Sequence, residues 1–344
     1  MRNGIAASAL ALLAGLWAAP GLAEPEVLQP SIVIGTDQRY PSEERAVGRI
    51  VTVGCTGWLT SFGAVLTAGH CNHNGPFKIQ FNVPPSKSDG TINPPSSPDD
   101  IYTLVFFASA LVAGQEDWAV AAASPVNGMT AAVRQKAVFR VSSLPLPSGS
   151  AAIRVTGFGV DGPPPNYGAN GGPKNRFNKT NQTATGAYIG PGSRAHRLCY
   201  VADTNPADSG APAIVNGSRI AVGIHIAGSR AAGDCGRSAN IATALDQPNL
   251  VAAMQRFPGS GYGIPGDRTF FVDEESPSAV VDGTVLSPFT QLSAAAAKAN
   301  STDAEALITI APGSYVDQPF TISAGHNITI SLPAGDAKLY LHGD

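Results

Sequence analysis

The sequence predicts an all-β chain of about two domains, and three observations carry that expectation. Gly and Pro together make up 66 of 344 residues, so turns are frequent. Charged residues amount to only 14%, against roughly a quarter in a typical soluble domain, which excludes a coiled coil and a highly charged disordered chain. Short β-branched or alternating runs split by turn residues recur along most of the length. At roughly 150 residues per domain, the length suits two domains. The formal net charge of -3 comes without a Lys/Arg cluster, so neither nucleic acid nor an anionic membrane is an expected partner.

Residues 1–23 begin with Met1 and Arg2, continue through an Ala/Leu-rich stretch to Trp17, and reach Ala23 by way of Pro20 and Gly21. One basic residue, an apolar segment and small closing residues read as a secretory signal peptide cleaved before Glu24. An uncleaved anchor is the alternative, since about 20 apolar residues span a bilayer, but Pro20 and Gly21 break a helix there. The mature chain is expected to be secreted or periplasmic, with no membrane contact after cleavage. Export makes disulfides the expected state of Cys55, Cys71, Cys199 and Cys235. Four cysteines allow three pairings, and no Cys-x-x-Cys spacing points to zinc.

Ser31-Ile32-Val33-Ile34-Gly35 begins like a strand. Further strands are expected over residues 47–53, 63–66, 102–107, 152–158 and 219–226. Ala213-Ile214-Val215, then Asn216-Gly217, then Arg219 onward reads as a hairpin on an Asn-Gly turn. Residues 163–172 read as an exposed loop. Apolar positions at helical spacing predict a helix over 245–257, stopped by Pro258. Residues 257–266, rich in Gly and Pro, predict a linker. An Ala-rich helix is expected over 293–300, then short strands at 307–310, 320–323 and 328–332. Over residues 267–344 this order resembles the amino-terminal cap of pectin-lyase-like β-helix proteins, with about two turns where a solenoid normally needs three.

Two motifs carry chemistry. Thr67-Ala68-Gly69-His70-Cys71 follows the apolar run Ala64-Val65-Leu66, so His70 sits just past a strand end, a place for a catalytic base. Ala207-Asp208-Ser209-Gly210-Ala211-Pro212 puts Ser209 in a tight turn before a strand. Such a turn can expose a hydroxyl and aim backbone N–H groups at one point, as an oxyanion hole requires. Alone, the first is more often a structural histidine and the second an ordinary Ser-Gly turn; together they point to nucleophilic catalysis. A carboxylate must hold the imidazole. Asp117, entering an apolar run through Ala122, is chosen over Glu116 and over Asp99 and Asp100 in a Ser/Pro loop.

The order His70, Asp117, Ser209 is that of the trypsin/chymotrypsin clan. Cys55-Thr56-Gly57-Trp58, Val33-Ile34-Gly35-Thr36-Asp37-Gln38-Arg39, Leu198-Cys199-Tyr200-Val201-Ala202-Asp203-Thr204 and Val222-Gly223-Ile224-His225 extend the likeness over roughly residues 31–256. The chain resembles bacterial glutamyl endopeptidases of that clan. The resemblance implies two packed six-stranded β-barrels with a closing helix over residues 32–256, a short propeptide at 24–31 and a linker at 257–266. It implies hydrolysis of protein or peptide substrates by attack of Ser209, with His70 shuttling the proton and Asp117 orienting it. The N–H groups of Ala207 and Ser209 would bind the oxyanion, Cys55 would pair with Cys71, and Cys199 with Cys235. Thr204, His225 and an α-amine at Ile32 or Val33 would bind the substrate glutamate, because a buried carboxylate needs hydrogen bonds and positive charge.

Two positions depart from the family. Ala207 stands where it carries Gly, whose backbone freedom a Cβ restricts. Asp208 stands where glutamyl enzymes carry an uncharged amide and trypsin-like enzymes an Asp that pairs with a freed Ile-Val amine; Ile32-Val33 would supply one here. The alternatives are a trypsin-clan protease of broad or small-residue specificity, and a binding scaffold whose tail contacts a polysaccharide or cell surface. No metal or organic cofactor is implied: His326 and His342 are isolated, and His73 and His196 read as solvated loop residues.

Overall fold

The computed structural model describes residues 37–341, apart from 73–74, 113–115, 144–151, 162–175, 230–233, 237–238, 303–304, 324 and 336. The expected signal peptide, the propeptide, Ile32, Val33, and the loop at 163–172 lie outside the described residues.

After a two-residue strand, β1 (Tyr40–Pro41), six strands close into a barrel: β2 (Val47–Ile50), β3 (Cys55–Leu59), β4 (Val65–Thr67), β5 (Phe77–Gln80), β6 (Ile101–Val112) and β7 (Glu116–Ala123), in the order β2-β3-β4-β7-β6-β5. Every residue of β2, β3 and β4 is buried; all but Arg49 are apolar or small, and Arg49 is satisfied by donating to Gln80 Oε1 and Asn93 C=O. β2 stops at Ile50 because the chain turns there, Gly54 N–H donating to Ile50 C=O at 3.1 Å. β6 outruns the expected 102–107 because its hairpin with β7 continues past a register shift between Phe106 and Ala108. That extension sets Leu111 opposite Asp117.

Helix α1 (Ala131–Gln135) and the short strand β8 (Arg140–Val141) lead to a second barrel: β9 (Ala152–Gly157), β10 (Gln182–Pro191), β11 (Arg197–Tyr200), β12 (Pro212–Val215), β13 (Ile220–Ser229) and β14 (Ala239–Ala244). Its order is β10-β11-β14-β13-β12-β9, and β9 pairs back to β10. The β12–β13 hairpin is present, but its turn differs from the expected Asn-Gly type. Gly217 has φ +78 while Asn216 is not among the residues of positive φ, and the expected turn needs both.

Helix α2 (Pro248–Ser260) starts three residues later than expected and runs past Pro258. Pro248 suits a first helical turn, which needs no N–H donor, and Gln247 caps it, its Oε1 accepting Leu250 N–H at 2.8 Å. Pro258 lies in the last turn, so the N–H it withholds from Met254 C=O is lost only where the helix is about to end. The stretch read as a linker is therefore helical to Ser260.

The last segment forms β15 (Thr269–Val272), α3 (Leu292–Asn300), β16 (Glu305–Ile310), β17 (Gly313–Asp317), β18 (Asn327–Ser331) and β19 (Ala337–Leu341). β16 pairs in parallel with β15 and β18, and β17 in parallel with β19. No strand forms at 320–323. α3 buries Leu292, Ala295, Ala296 and Ala299, one face at i, i+3, i+4 and i+7 spacing. The segment is fastened to the barrels: Phe271 packs edge-on against Phe62 at 5.8 Å, and Arg140 Nε donates to both oxygens of Asp273. Phe271, Val285 and Leu286 share the first barrel's apolar core. Among the described residues no helix is long and apolar enough to cross a membrane.

Candidate active site

Each candidate residue is placed by a strand end. β4 ends at Thr67, and one 3-10 turn, Gly69–Cys71, presents His70. Asp117, near the start of β7, holds His70 at two atoms: its Oδ1 accepts the His70 backbone N–H at 2.9 Å, and its Oδ2 lies 2.7 Å from ring Nδ1. With Nδ1–H donating to the carboxylate, Nε2 is the basic nitrogen. The His70 side chain is 32% exposed and that of Asp117 14%, so the base reaches solvent while its partner is largely covered. The rival carboxylates are engaged elsewhere. Glu116 accepts from Trp118 Nε1 and Asn249 Nδ2, Asp99 pairs with Arg134, and Asp100 accepts from Gln135.

Ser209 comes from the second barrel, in a turn closed by Ala211 N–H donating to Asp208 C=O at 2.9 Å. Its own carbonyl accepts Thr56 N–H at 2.8 Å. Thr56 follows Cys55, which is bonded to Cys71 beside His70. Gly210 has φ +90, and a Cβ there would stand 2.1 Å from Thr56 O and 3.0 Å from Ala68 N. Glycine is thus required for the serine turn to close against the histidine turn. Among the described residues no hydrogen bond joins Ser209 Oγ to His70; in proteins without bound substrate, hydrogen bonds between catalytic groups are often long.

The peptides that carry the Ala207 and Ser209 N–H groups are pinned by their carbonyls. Pro206 C=O accepts Val160 N–H at 2.7 Å, and Asp208 C=O accepts Ala211 N–H at 2.9 Å. A trans peptide points its N–H opposite its carbonyl, so the N–H groups of Ala207 and Ser209 face away from those partners. Ala207 adopts this arrangement at φ +81, which costs a residue with a Cβ about 1–2 kcal/mol. Thr56 Oγ1, donating to Ala207 C=O at 2.9 Å, helps to hold it there.

Asp208 turns inward and is buried, its Oδ2 accepting Asn205 N–H at 2.8 Å. Burial pushes its pKa up to about 6, with Arg39 as the main opposing charge. An amine from Ile32-Val33 at Asp208 lies outside the described residues; the cation placed beside Asp208 is Arg39. Sequence reading gave Arg39 no role, its only signal being the Asp37-Gln38-Arg39 run.

Thr204 and His225, expected to bind substrate, are both fully buried. Thr204 Oγ1 donates to Asn240 Oδ1 at 2.9 Å. His225 lies against the serine turn, its C=O accepting Gly210 N–H at 2.7 Å and its N–H donating to Ala211 C=O at 2.8 Å. Burial pushes its pKa down to about 3, so the ring is neutral. Burial also raises the pKa of Tyr200, whose hydroxyl lies 2.7 Å from His225 Nδ1. The other ring nitrogen, Nε2, is buried and has no partner among the described residues. Asn205 likewise buries both polar side-chain atoms without partners there. The roles of Tyr200, Asn205 and Asn240 were not legible in the sequence, nor was that of Asp203, whose Oδ2 accepts Gln38 N–H at 2.7 Å. Tyr200 and Asp203 had one signal, the likeness of the 198–204 block, and Asn205 and Asn240 had none.

Cys199 is bonded to Cys235. Among the described residues the one cluster of metal-ligand character is Cys55, His70 and Cys71, whose sulfurs are bonded to each other.

A family model described as Trypsin matches residues 33–247. Solved structures that align with the chain include a Glu endopeptidase in complex with MPD, at 17% identity and TM-score 0.48 over 67% of this chain and 100% of that one. A thermostable serine protease, AL20, from an extremophilic microorganism aligns at 14% identity and TM-score 0.44 over 62% and 99%. Protease Anisep from Arthrobacter nicotinovorans aligns at 15% identity and TM-score 0.41 over 60% and 93%. No curated protein matches the sequence.

Proposed function

Because the chain belongs to the trypsin family of serine endopeptidases, we propose that it is a secreted endopeptidase cleaving after acidic residues, glutamate foremost, with His70, Asp117 and Ser209 as its triad. The observation that carries the triad is the two-point hold of His70 by Asp117 beside the serine turn. Ser209 Oγ attacks the scissile carbonyl carbon while His70 Nε2 takes its proton. Asp117 keeps Nδ1–H toward itself and stabilises the imidazolium. The N–H groups of Ala207 and Ser209 receive the developing oxyanion. His70 then returns the proton to the leaving amine, and water releases the acyl group by the same steps in reverse order.

The glutamate preference is supported by the buried Nε2 of His225, which has no partner among the described residues; with Tyr200 donating to Nδ1, Nε2 carries the ring proton and is a donor without an acceptor. An unsatisfied buried donor costs about 1–3 kcal/mol, which a substrate carboxylate oxygen relieves. A carboxylate beside the ring also favours its charged form, so binding draws a proton onto His225. A second reading, a trypsin-family protease without acidic preference, is favoured by Asp203, whose buried carboxylate adjoins Thr204 and repels a substrate anion. Residues 1–23 serve as export signal and 24–31 as propeptide in this proposal, and 267–344 form a β-helix-like cap on the barrels. Matched peptides differing only in Glu, Asp, Ala, Arg or Phe before the cleaved bond test it. Glu-selective cleavage abolished by Ser209→Ala supports it, and equal cleavage of Glu and Ala peptides overturns the specificity.

A further inference from the structure

The carboxylate beside the nucleophile has a cation supplied from within the chain. Arg39 Nη1 stands 3.9 Å from Asp208 Oδ2, and the two side chains are only 2% and 4% exposed. The guanidinium is fixed from its other side: Nη2 lies 2.7 Å from Asp37 Oδ2 and also bonds Asp161. Gly159 lines the gap between guanidinium and carboxylate. A Cβ there would stand 2.4 Å from Arg39 Nη1 and 2.6 Å from Asp208 Oδ2, so bare backbone is what lets the two charges approach. Three separate stretches thus meet at one buried ion cluster: residues 37–39, the loop after β9, and the serine turn. Asp208 lies between Ala207 and Ser209, whose N–H groups are the proposed oxyanion donors. A buried carboxylate deprived of its cation takes up a proton or turns toward water, and either change moves the peptides on both sides of it.

We propose that Arg39 is a positioning residue for the serine turn: paired with Asp208 from inside the folded chain, it keeps the Ala207 and Ser209 N–H groups in catalytic register, so that the oxyanion hole does not depend on a freed amino terminus. The proposal rests on the endopeptidase reading above and names how that site is held ready. Among the described residues the ionisable groups facing Asp208 are Arg39 and Asp161, with the phenol of Tyr200 on β11 and, beyond Arg39, Asp37. One cation among three carboxylates makes Asp208 sensitive to its removal.

The test uses the full secreted chain with Arg39→Gln, Arg39→Lys and Asp208→Asn, read by kcat, KM, the pH dependence of kcat, and the rate of Ser209 labelling by a fluorophosphonate. The amino terminus of each labelled protein is located by mass spectrometry. Arg39→Gln is expected to lower kcat on the order of 10²-fold, as loss of an oxyanion donor does, with KM little changed. Its acid limb should move to higher pH, and Arg39→Lys should recover much of the rate. Where Arg39→Gln does not fold, the same shift in Arg39→Lys, smaller in size, and its disappearance in Asp208→Asn carry the test. Wild-type protein still bearing residues 24–31 should label as fast as protein lacking them. Labelling only after those residues are removed overturns the proposal, and so does an Arg39→Gln protein that melts earlier but keeps kcat and its pH profile. Both leave the endopeptidase reading standing. A wild type inert in every form removes that reading and this proposal together.

Discussion

Asp117 grips His70 twice, accepting the backbone N–H at 2.9 Å and facing ring Nδ1 at 2.7 Å. The first bond fixes where the histidine turn sits and the second fixes which ring nitrogen is basic. Asp117→Asn keeps the shape but presents an amide that stabilises the wrong tautomer. The expected result is a kcat lower by about 10⁴-fold with KM little changed, measured on a peptide substrate. A loss smaller than tenfold would place the partner of His70 elsewhere.

Stability should depend on pH through His225. Its folded pKa, about 3, lies below the ordinary 6.5, so the unfolded chain binds the proton more tightly between those values. Its contribution is complete above pH 6.5 and lost as pH falls toward 3. Asp208, raised to about 6 from 3.8, works in the opposite direction over the upper part of that range. Urea unfolding at a series of pH values should show His225→Gln with a flatter acid side than wild type. An unchanged slope would mean that His225 is not buried as a neutral ring.

Ala207 pays for its backbone with its Cβ. At φ +81 glycine relieves about 1–2 kcal/mol and returns about 0.5–1 kcal/mol through the entropy of the unfolded chain. Ala207→Gly should therefore raise unfolding stability by roughly 0.5–1 kcal/mol in urea titration. A clear destabilisation would show that Ala207 makes contacts worth more than its strain.

The cap should melt with the barrels. Phe271 is 4% exposed and packs on Phe62, so Phe271→Ala should cost about 3–5 kcal/mol. Calorimetry should show one transition shifted downward. A small early transition followed by an unshifted main one would make the last segment an independent unit.

His70, Asp117 and Ser209 could be picked out as candidates from the sequence because each lies in a short local string: a strand end, the start of an apolar run, a Gly/Pro turn. Ala207 was legible as a departure for the same reason, and its positive φ is the physical form that departure takes. The cluster of Arg39, Asp161 and Asp208 was not, since its members are 122 and 169 residues from Arg39 and no local pattern links them. Nor was the docking of the last segment. Gly and Pro between 257 and 266 signal a break, yet α2 runs through Pro258 to Ser260, and the tie is made by Phe271 and Asp273, beyond that stretch. The strands were foreseen more surely than their ends, because register with a partner strand, as between β6 and β7, sets where pairing stops.

The first measurement to make is cleavage of the matched Glu, Asp, Ala, Arg and Phe peptides by secreted protein of known amino terminus, beside its Ser209→Ala variant. The expected result is hydrolysis after Glu, fastest of the set and lost in the variant by at least about 10³-fold. Hydrolysis that survives in Ser209→Ala, or no hydrolysis of any peptide by the wild type, would contradict it.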